Sequence, residues 1–315
     1  MMRILSITLI LFSLTSSLNA KANFNWQKKE GTHIDLILGE KKIARYVFER
    51  MNPNDRERTY KPFYHLYDST GTKFITKGPG GRYTHHRGIY FGFSKCSALD
   101  GQGKPVSVDT WHCKRGYQIH ERTLSLKAGH KKAALESEIT WRVDDGTIFI
   151  TERRKLAFSF LPNQLLQIDF DSILSTKQPV VNLDGDPQHA GFQFRASNEV
   201  AEKNAKATYY IRPNEGKDEM GKTKNWPQNK DMQNQAWKGQ SVIIGEQRYY
   251  TLYLDHPSNP KPSYYSERDY GRFGSYFKAK VTPEQPLRVR YRLISGTEEL
   301  DANKCDSFSA EFISK

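Results

Sequence analysis

The chain has 315 residues, 48 lysines and arginines against 35 acidic residues, and a formal net charge of +13. That length suits one large domain or two smaller ones, and the basic balance favours anionic partners through long-range attraction. The Lys and Arg are scattered, and no helix-turn-helix, zinc-finger or RNA-binding signature occurs, which argues against a nucleic-acid partner.

The first 22 residues read as a secretory signal peptide: Arg3, an apolar run from Leu5 to Leu14, then small polar residues with cleavage near Ala20 or Ala22. The apolar run is too short for a stable anchor, and no later segment is apolar enough to span a bilayer. The expected location is therefore the periplasm or the cell exterior. Three cysteines, Cys96, Cys113 and Cys305, permit a Cys96–Cys113 disulfide or three buried thiols, and they lack zinc-site spacing.

In the mature chain, 23–315, apolar alternation over Ile34–Leu38 and Ile43–Phe48 around GEKK predicts a hairpin. Residues 52–61 are a polar loop, Pro62–Leu66 resumes strand character, and Asp68–Thr72 is a turn. Gly80–Phe93, GGRYTHHRGIYFGF, then sets His85, His86 and Arg87 between a glycine turn and an aromatic strand. Residues 97–108 form a loop ending at Asp109-Thr-Trp-His112, and a strand starts at Gly116–His120. Leu124–Leu126, Ala133–Val143, Thr147–Phe158 and Leu165–Ser175 follow as consecutive antiparallel strands joined by short turns. Leu183–Ser197 repeats the earlier plan, with Asp184, Asp186 and His189 ahead of Phe192 and Phe194. Residues 198–238 are polar and read as a surface excursion. Ser241–Ile244 and Arg248–Leu254 lead into Asp255-His256-Pro-Ser-Asn259-Pro, followed by Tyr264, Arg268 and Tyr270. Leu287–Ile294 is a last strand, and Thr297–Phe312 has the spacing of a short helix. With strands throughout and no βαβ alternation, the predicted fold is all-β, one large antiparallel sandwich with a short C-terminal helix.

Four polar clusters lie at strand ends: His85/His86/Arg87, Asp109/His112/His120, Asp184/Asp186/His189 and Asp255/His256/Asn259. Histidine beside a carboxylate suits acid–base work near neutral pH or ligation of a divalent metal. No H-E-x-x-H or other local metal motif occurs, so metal-free acid–base chemistry is set ahead of metal-assisted chemistry. There is no G-x-S-x-G elbow for a nucleophilic serine. Asp184 and Asp186, with Glu152, are candidates for the paired carboxylates of a glycosidase.

The segments HHRGIYFGF, GYQIH, AGFQFR, and DHPSNP followed by RDYG resemble an uncharacterised bacterial family known as "methane oxygenase PmoA-like". The resemblance spans most of the mature chain. It departs most at Asp186–Gly191, where the family tends to a Gly-Asp-Thr turn, and this weakens a role for His189. Methane oxidation itself conflicts with a chain that lacks a membrane-spanning helix. The resemblance implies an exported protein of glycan use, with a β-sandwich akin to sugar epimerases and polysaccharide lyases.

The expectation is an exported enzyme cleaving or isomerising a glycan, neutral or anionic. His85, His86, Asp255 and His256 are its catalytic candidates, and Arg87, Asn259, Tyr264, Arg268 and His189 bind substrate. These groups are expected to converge on one concave face, with or without a divalent metal. The alternative is a non-catalytic glycan-binding protein.

Overall fold

The computed structural model describes residues 23–314, so the expected signal peptide lies outside the described residues. Two large antiparallel sheets form the sandwich. One has eight strands in the order Phe24–Lys29, His33–Leu38, Lys41–Val47, Phe63–Leu66, Ile89–Phe93, Ala190–Arg195, Arg272–Tyr276, Tyr264–Arg268. The other has nine, from Gly216–Lys217 at one edge to Gly116–Ala128 at the other. Four short strands, Lys95–Leu99, Pro105–Val108, Val181–Asp184 and Ala279–Val281, make a third sheet. The expected antiparallel sandwich is therefore present.

Period-two alternation places the core between the large sheets. Ile89, Phe91 and Phe93 on one strand and Phe192 and Phe194 on its neighbour face inward. They meet the nine-stranded sheet, where Phe170 and Tyr291 lie 4.4 and 4.8 Å from the Phe192 ring. The Tyr253 hydroxyl crosses between the sheets to donate to the carbonyl of Phe192 at 3.1 Å. The meander read from residues 116–175 is the regular part of the second sheet: Gly116–Ala128, Lys132–Val143, Ile148–Phe160 and Leu166–Ser175 pair in sequence order. At its end the predicted helix forms over Ala302–Ile313, and the Asp301 side chain caps it by accepting from the N–H of Lys304.

Two expectations change. The stretch 198–238 is not all surface excursion, because Tyr209–Arg212 is a fully buried strand of the nine-stranded sheet, paired with Trp237–Ile244. Its polar end is tolerated because Glu267 takes two donors from Arg212, at 2.9 and 2.7 Å. The cysteines are three buried free thiols, with no Cys96–Cys113 bridge.

His65 is a buried histidine of the fold. Its ring stacks on Phe74 at 3.9 Å and its Nδ1 meets the Thr76 hydroxyl at 3.0 Å. Burial, with the charges of Arg45, Arg87 and Lys77, pushes its pKa down to about 3. Between the unfolded value of about 6.5 and that folded value, the unfolded chain binds a proton that the native state refuses. The stabilisation is thus complete above pH ~6.5 and is lost as pH falls, amounting to about 2 kcal/mol at pH ~5. His65→Phe should flatten the loss of stability between neutral pH and pH ~5 by that amount in urea titrations. An unchanged pH slope would contradict the assignment.

Candidate functional site

Residues that alternate with the core positions of the eight-stranded sheet point outward: Tyr90, Gln193, Arg195, Ser266 and Arg272. All five are nonetheless buried, because loops fold over this face. The Trp111 ring lies 5.2 Å from Tyr90, and the N–H of Thr110 donates to the carbonyl of Phe93 at 2.9 Å.

Two of these loops share one design, Asp-x-x-His. The Asp109 carboxylate accepts from the backbone N–H of Trp111 and of His112, each at 2.8 Å, and its second oxygen meets His112 Nδ1 at 2.8 Å. Asp186 accepts from the N–H of Gln188 at 2.8 Å and contacts His189 Nδ1 at 3.1 Å. An aspartate three residues upstream therefore shapes each turn and orients each imidazole at once. With Nδ1 held, Nε2 is the nitrogen left free on both rings. At Gly191, φ is +80°, and a Cβ there would lie 2.0 Å from the carbonyl oxygen of Ser275, so only glycine lets this strand close up behind His189.

The third imidazole comes from the loop before Ile89–Phe93. Arg87 ties that loop down by donating to the carbonyls of Thr84, His86 and Glu57, while its guanidinium packs over Tyr60 and Phe63. His85 then sits with its ring centre 4.5 Å from His112 and 5.8 Å from His189, and those two rings are 4.9 Å apart. One nitrogen from each of the three lies within 4.8 Å of the others. His85 Nε2 is buried with no hydrogen-bond partner among the described residues. Burial first, then the nearby charges of His112, Lys61, His189 and Arg87, lowers its pKa to about 3, so the ring is neutral at physiological pH. Three imidazoles, two of them oriented by carboxylates, match the nitrogen donor set of a divalent transition metal. Asp109 and Asp186 together carry the charge that balances such an ion.

Behind this cluster stands His86, 3% exposed, its ring 4.4 Å from His85, 5.4 Å from Tyr83 and 6.1 Å from Tyr270. Its Nδ1 has no partner among the described residues. Burial and the charge of Arg272 hold its pKa well below the usual imidazole range. The cluster itself is reachable: the side chains of His112 and His189 are 27% and 30% exposed.

Of the residues singled out in the sequence, His85, His86 and His189 come together, and His112 joins them. Arg87 is adjacent in sequence but spends both Nη groups on backbone carbonyls, leaving Nε buried and unpartnered. Asp255, His256 and Asn259 do not join the group; the expected single concave face is corrected here. Asp255 ends a strand of the nine-stranded sheet and bonds Asn259 at 2.6 Å, Lys261 at 2.8 Å and Tyr265, a core residue, at 3.1 Å. His256 lies between Ser258, Arg290 and Phe312 of the C-terminal helix. These groups are on the inner side of the eight-stranded sheet, the imidazole cluster on the outer side. Tyr264 and Arg268 belong to the outward face of its edge strand, Tyr264 stacked on Trp226 at 4.6 Å. Glu152 is fully buried among Arg154, Trp141 and Ser172, and is a core ion pair. Asp184 bonds the Tyr276 hydroxyl at 2.6 Å, and His120 the Tyr46 hydroxyl at 3.1 Å. Sequence reading passed over the repeated Asp-x-x-His spacing, and with it the pairing of His112 and His189. It also passed over the outward alternation of Arg195 and Arg272.

Residues 33–309 match the model of a family described as a family of unknown function, DUF6807. No curated protein matches the chain. Among solved structures, a GalM/aldose epimerase homologue from C. elegans aligns over 88% of this chain and 100% of its own, at 5% identity and a TM-score of 0.37. A polysaccharide lyase aligns over 92% of this chain and 34% of its own, at 9% identity and a TM-score of 0.30. Likenesses this loose carry no argument about chemistry. No helix among the described residues is long and apolar enough to cross a membrane.

Proposed function

We propose, for a chain that belongs to the DUF6807 family of unknown function, that it is an exported carbohydrate-active enzyme built around a divalent metal held by His85, His112 and His189. The observation that carries this reading is the convergence of three imidazole nitrogens within 4.8 Å, two of the rings oriented by aspartates. Three histidine ligands leave coordination positions open for substrate or water, the arrangement of reactive rather than structural sites. A metal there supplies a Lewis acid or a water activated at neutral pH. His86 adjoins the cluster with a buried, unpartnered Nδ1 and is the group assigned to exchange a proton with the substrate.

The carbohydrate reading rests on the surroundings. Tyr83, half-buried beside His86, and the half-buried Trp226–Tyr264 stack on the edge strand are aromatic groups suited to the C–H face of a sugar, with Tyr270 and Trp111 buried behind the cluster. Export rests on the order of residues 1–22. With its pKa held well below the usual imidazole range, His86 can take up a proton, a role that fits the abstraction of a sugar C–H proton opening isomerisation or eliminative cleavage.

The test is turnover on a panel of neutral and acidic glycans by the purified protein, before and after chelation and after reloading with Zn²⁺, Mn²⁺ or Co²⁺. Activity should disappear on chelation and return with metal, and His86→Ala should cost roughly 10²- to 10⁴-fold in turnover. Turnover indifferent to chelation would remove the metal from the account, and sugar binding without turnover would favour a binding protein.

A further inference from the structure

The eight-stranded sheet carries two arginines where a like-charge pair is costly. Arg195 and Arg272 are direct cross-strand partners, each 1% exposed. Like charges directly opposite on a sheet destabilise it, and a buried charge normally carries a partner. Arg154 and Arg212, equally buried, obey that rule, pairing with Glu152 and Glu267 at 2.7 Å each, whereas Arg87, 2% exposed, has no carboxylate partner among the described residues but donates to three backbone carbonyls. Among the described residues neither Arg195 nor Arg272 has an ion pair to any carboxylate.

Their hydrogen bonds are also incomplete. Arg195 directs Nη1 at the carbonyls of Ala196, Ser197 and Tyr270, and leaves Nε and Nη2 buried and unpartnered. Arg272 donates to Gln193 Oε1 at 3.0 Å and to the Ser266 hydroxyl at 2.7 Å, and leaves Nε unpartnered. Burial drives both guanidinium groups below their ordinary range, Arg195 down to about 10, because no carboxylate holds them up. The Arg195 guanidinium packs 4.7 Å from the Tyr270 ring, which lies 6.1 Å from His86, and Arg272 is the cross-strand partner of Arg195, so the pair lies beside the imidazole cluster rather than elsewhere on the face.

We infer that Arg195 and Arg272 receive an oxyanion of the substrate, so that the glycan taken by this site is acidic, bearing a carboxylate or a sulfate beside the bond or carbon that reacts. The inference rests on the carbohydrate reading above and narrows it. Two opposed guanidinium groups with three unpartnered donor nitrogens match the oxygens of one anionic group, which would supply the missing charge and the missing acceptors together. A neutral sugar hydroxyl would satisfy the donors and leave the charges uncompensated. Arg87, a substrate-binding candidate by its place in the sequence, directs both Nη groups at three backbone carbonyls instead and leaves only Nε unpartnered.

The test is binding of three probes to the full mature protein by calorimetry: a uronic-acid oligosaccharide, a sulfated oligosaccharide, and the carboxyl-reduced neutral form of the first. Wild type should bind at least one acidic probe about ten-fold or more tighter than the neutral one, the factor equivalent to one charge-assisted hydrogen bond. Arg272→Gln should bring acidic and neutral affinities within about two-fold while leaving the metal stoichiometry unchanged. Arg272→Lys keeps the charge without the fork and should retain only part of the preference; it serves if the glutamine variant does not fold. Equal affinity of wild type for acidic and neutral probes overturns the acidic-substrate inference and leaves the carbohydrate reading standing. Failure to bind any of the three overturns both. Which acidic probe wins distinguishes a carboxylate from a sulfate.

Discussion

Replacing His112 by alanine should abolish high-affinity binding of a divalent metal and, with it, turnover. The imidazole is one of three converging donors, and it reaches the cluster only because Asp109 fixes both its turn and its Nδ1. Asp109→Asn retains the ring and much of the turn, yet replaces a carboxylate by a neutral amide at Nδ1. It should weaken metal affinity by roughly 10- to 100-fold, the usual effect of altering a group that orients a ligand. His112→Ala should weaken it by more than that. His256→Ala, on the inner side of the sheet, should leave metal binding unchanged. Equal effects of His112→Ala and His256→Ala would show that the cluster is not the metal centre.

The second large effect concerns stability. Glu267 is fully buried and accepts from Arg212 at 2.9 and 2.7 Å, from Lys238 at 2.7 Å and from the backbone N–H of Lys224 at 2.8 Å. Burial alone would raise its pKa, but Lys238 and Arg212 hold it below the usual carboxylate range. Glu267→Gln keeps the shape and removes the charge. Lys238, with no other carboxylate in ion-pair contact among the described residues, is then a buried cation without its partner. The expected loss is about 3–5 kcal/mol, the cost of breaking a buried pair by removing one partner, read as a lower urea midpoint at unchanged m. A change below about 1 kcal/mol would mean that water or a shift of Lys238 relieves the charge. The comparison with Arg272→Gln is informative, because that substitution removes a cation with no anionic partner and should cost far less.

These two cases show what was legible in the chain and what was not. The meander over residues 116–175 and the helix near the C-terminus follow from periodicity, because each element pairs with its sequence neighbour or buries one face. Tyr209–Arg212 escaped, since a four-residue strand in a polar stretch offers no periodicity, and the residue that makes its burial tolerable, Glu267, lies 55 positions away. The site was half legible. His85, His86 and His189 stood out as titratable groups at strand ends, but a strand end does not say which side of a sheet it serves. Asp255 and His256 were grouped with them for that reason, and the core contact of Asp255 with Tyr265 places it across the sheet. The doubled Asp-x-x-His at 109–112 and 186–189 was a readable signal, because that spacing lets one carboxylate cap a turn and hold the imidazole it presents.

The most direct measurement is a Co²⁺ titration of the metal-stripped protein, followed by visible absorption, with the His85→Ala/His112→Ala/His189→Ala variant alongside. Wild type should show bands of a low-symmetry, nitrogen-rich site that saturate at one equivalent, and the triple variant should show none. Bands of equal strength in the triple variant, or no saturating bands in wild type, would contradict a metal centre at these three histidines.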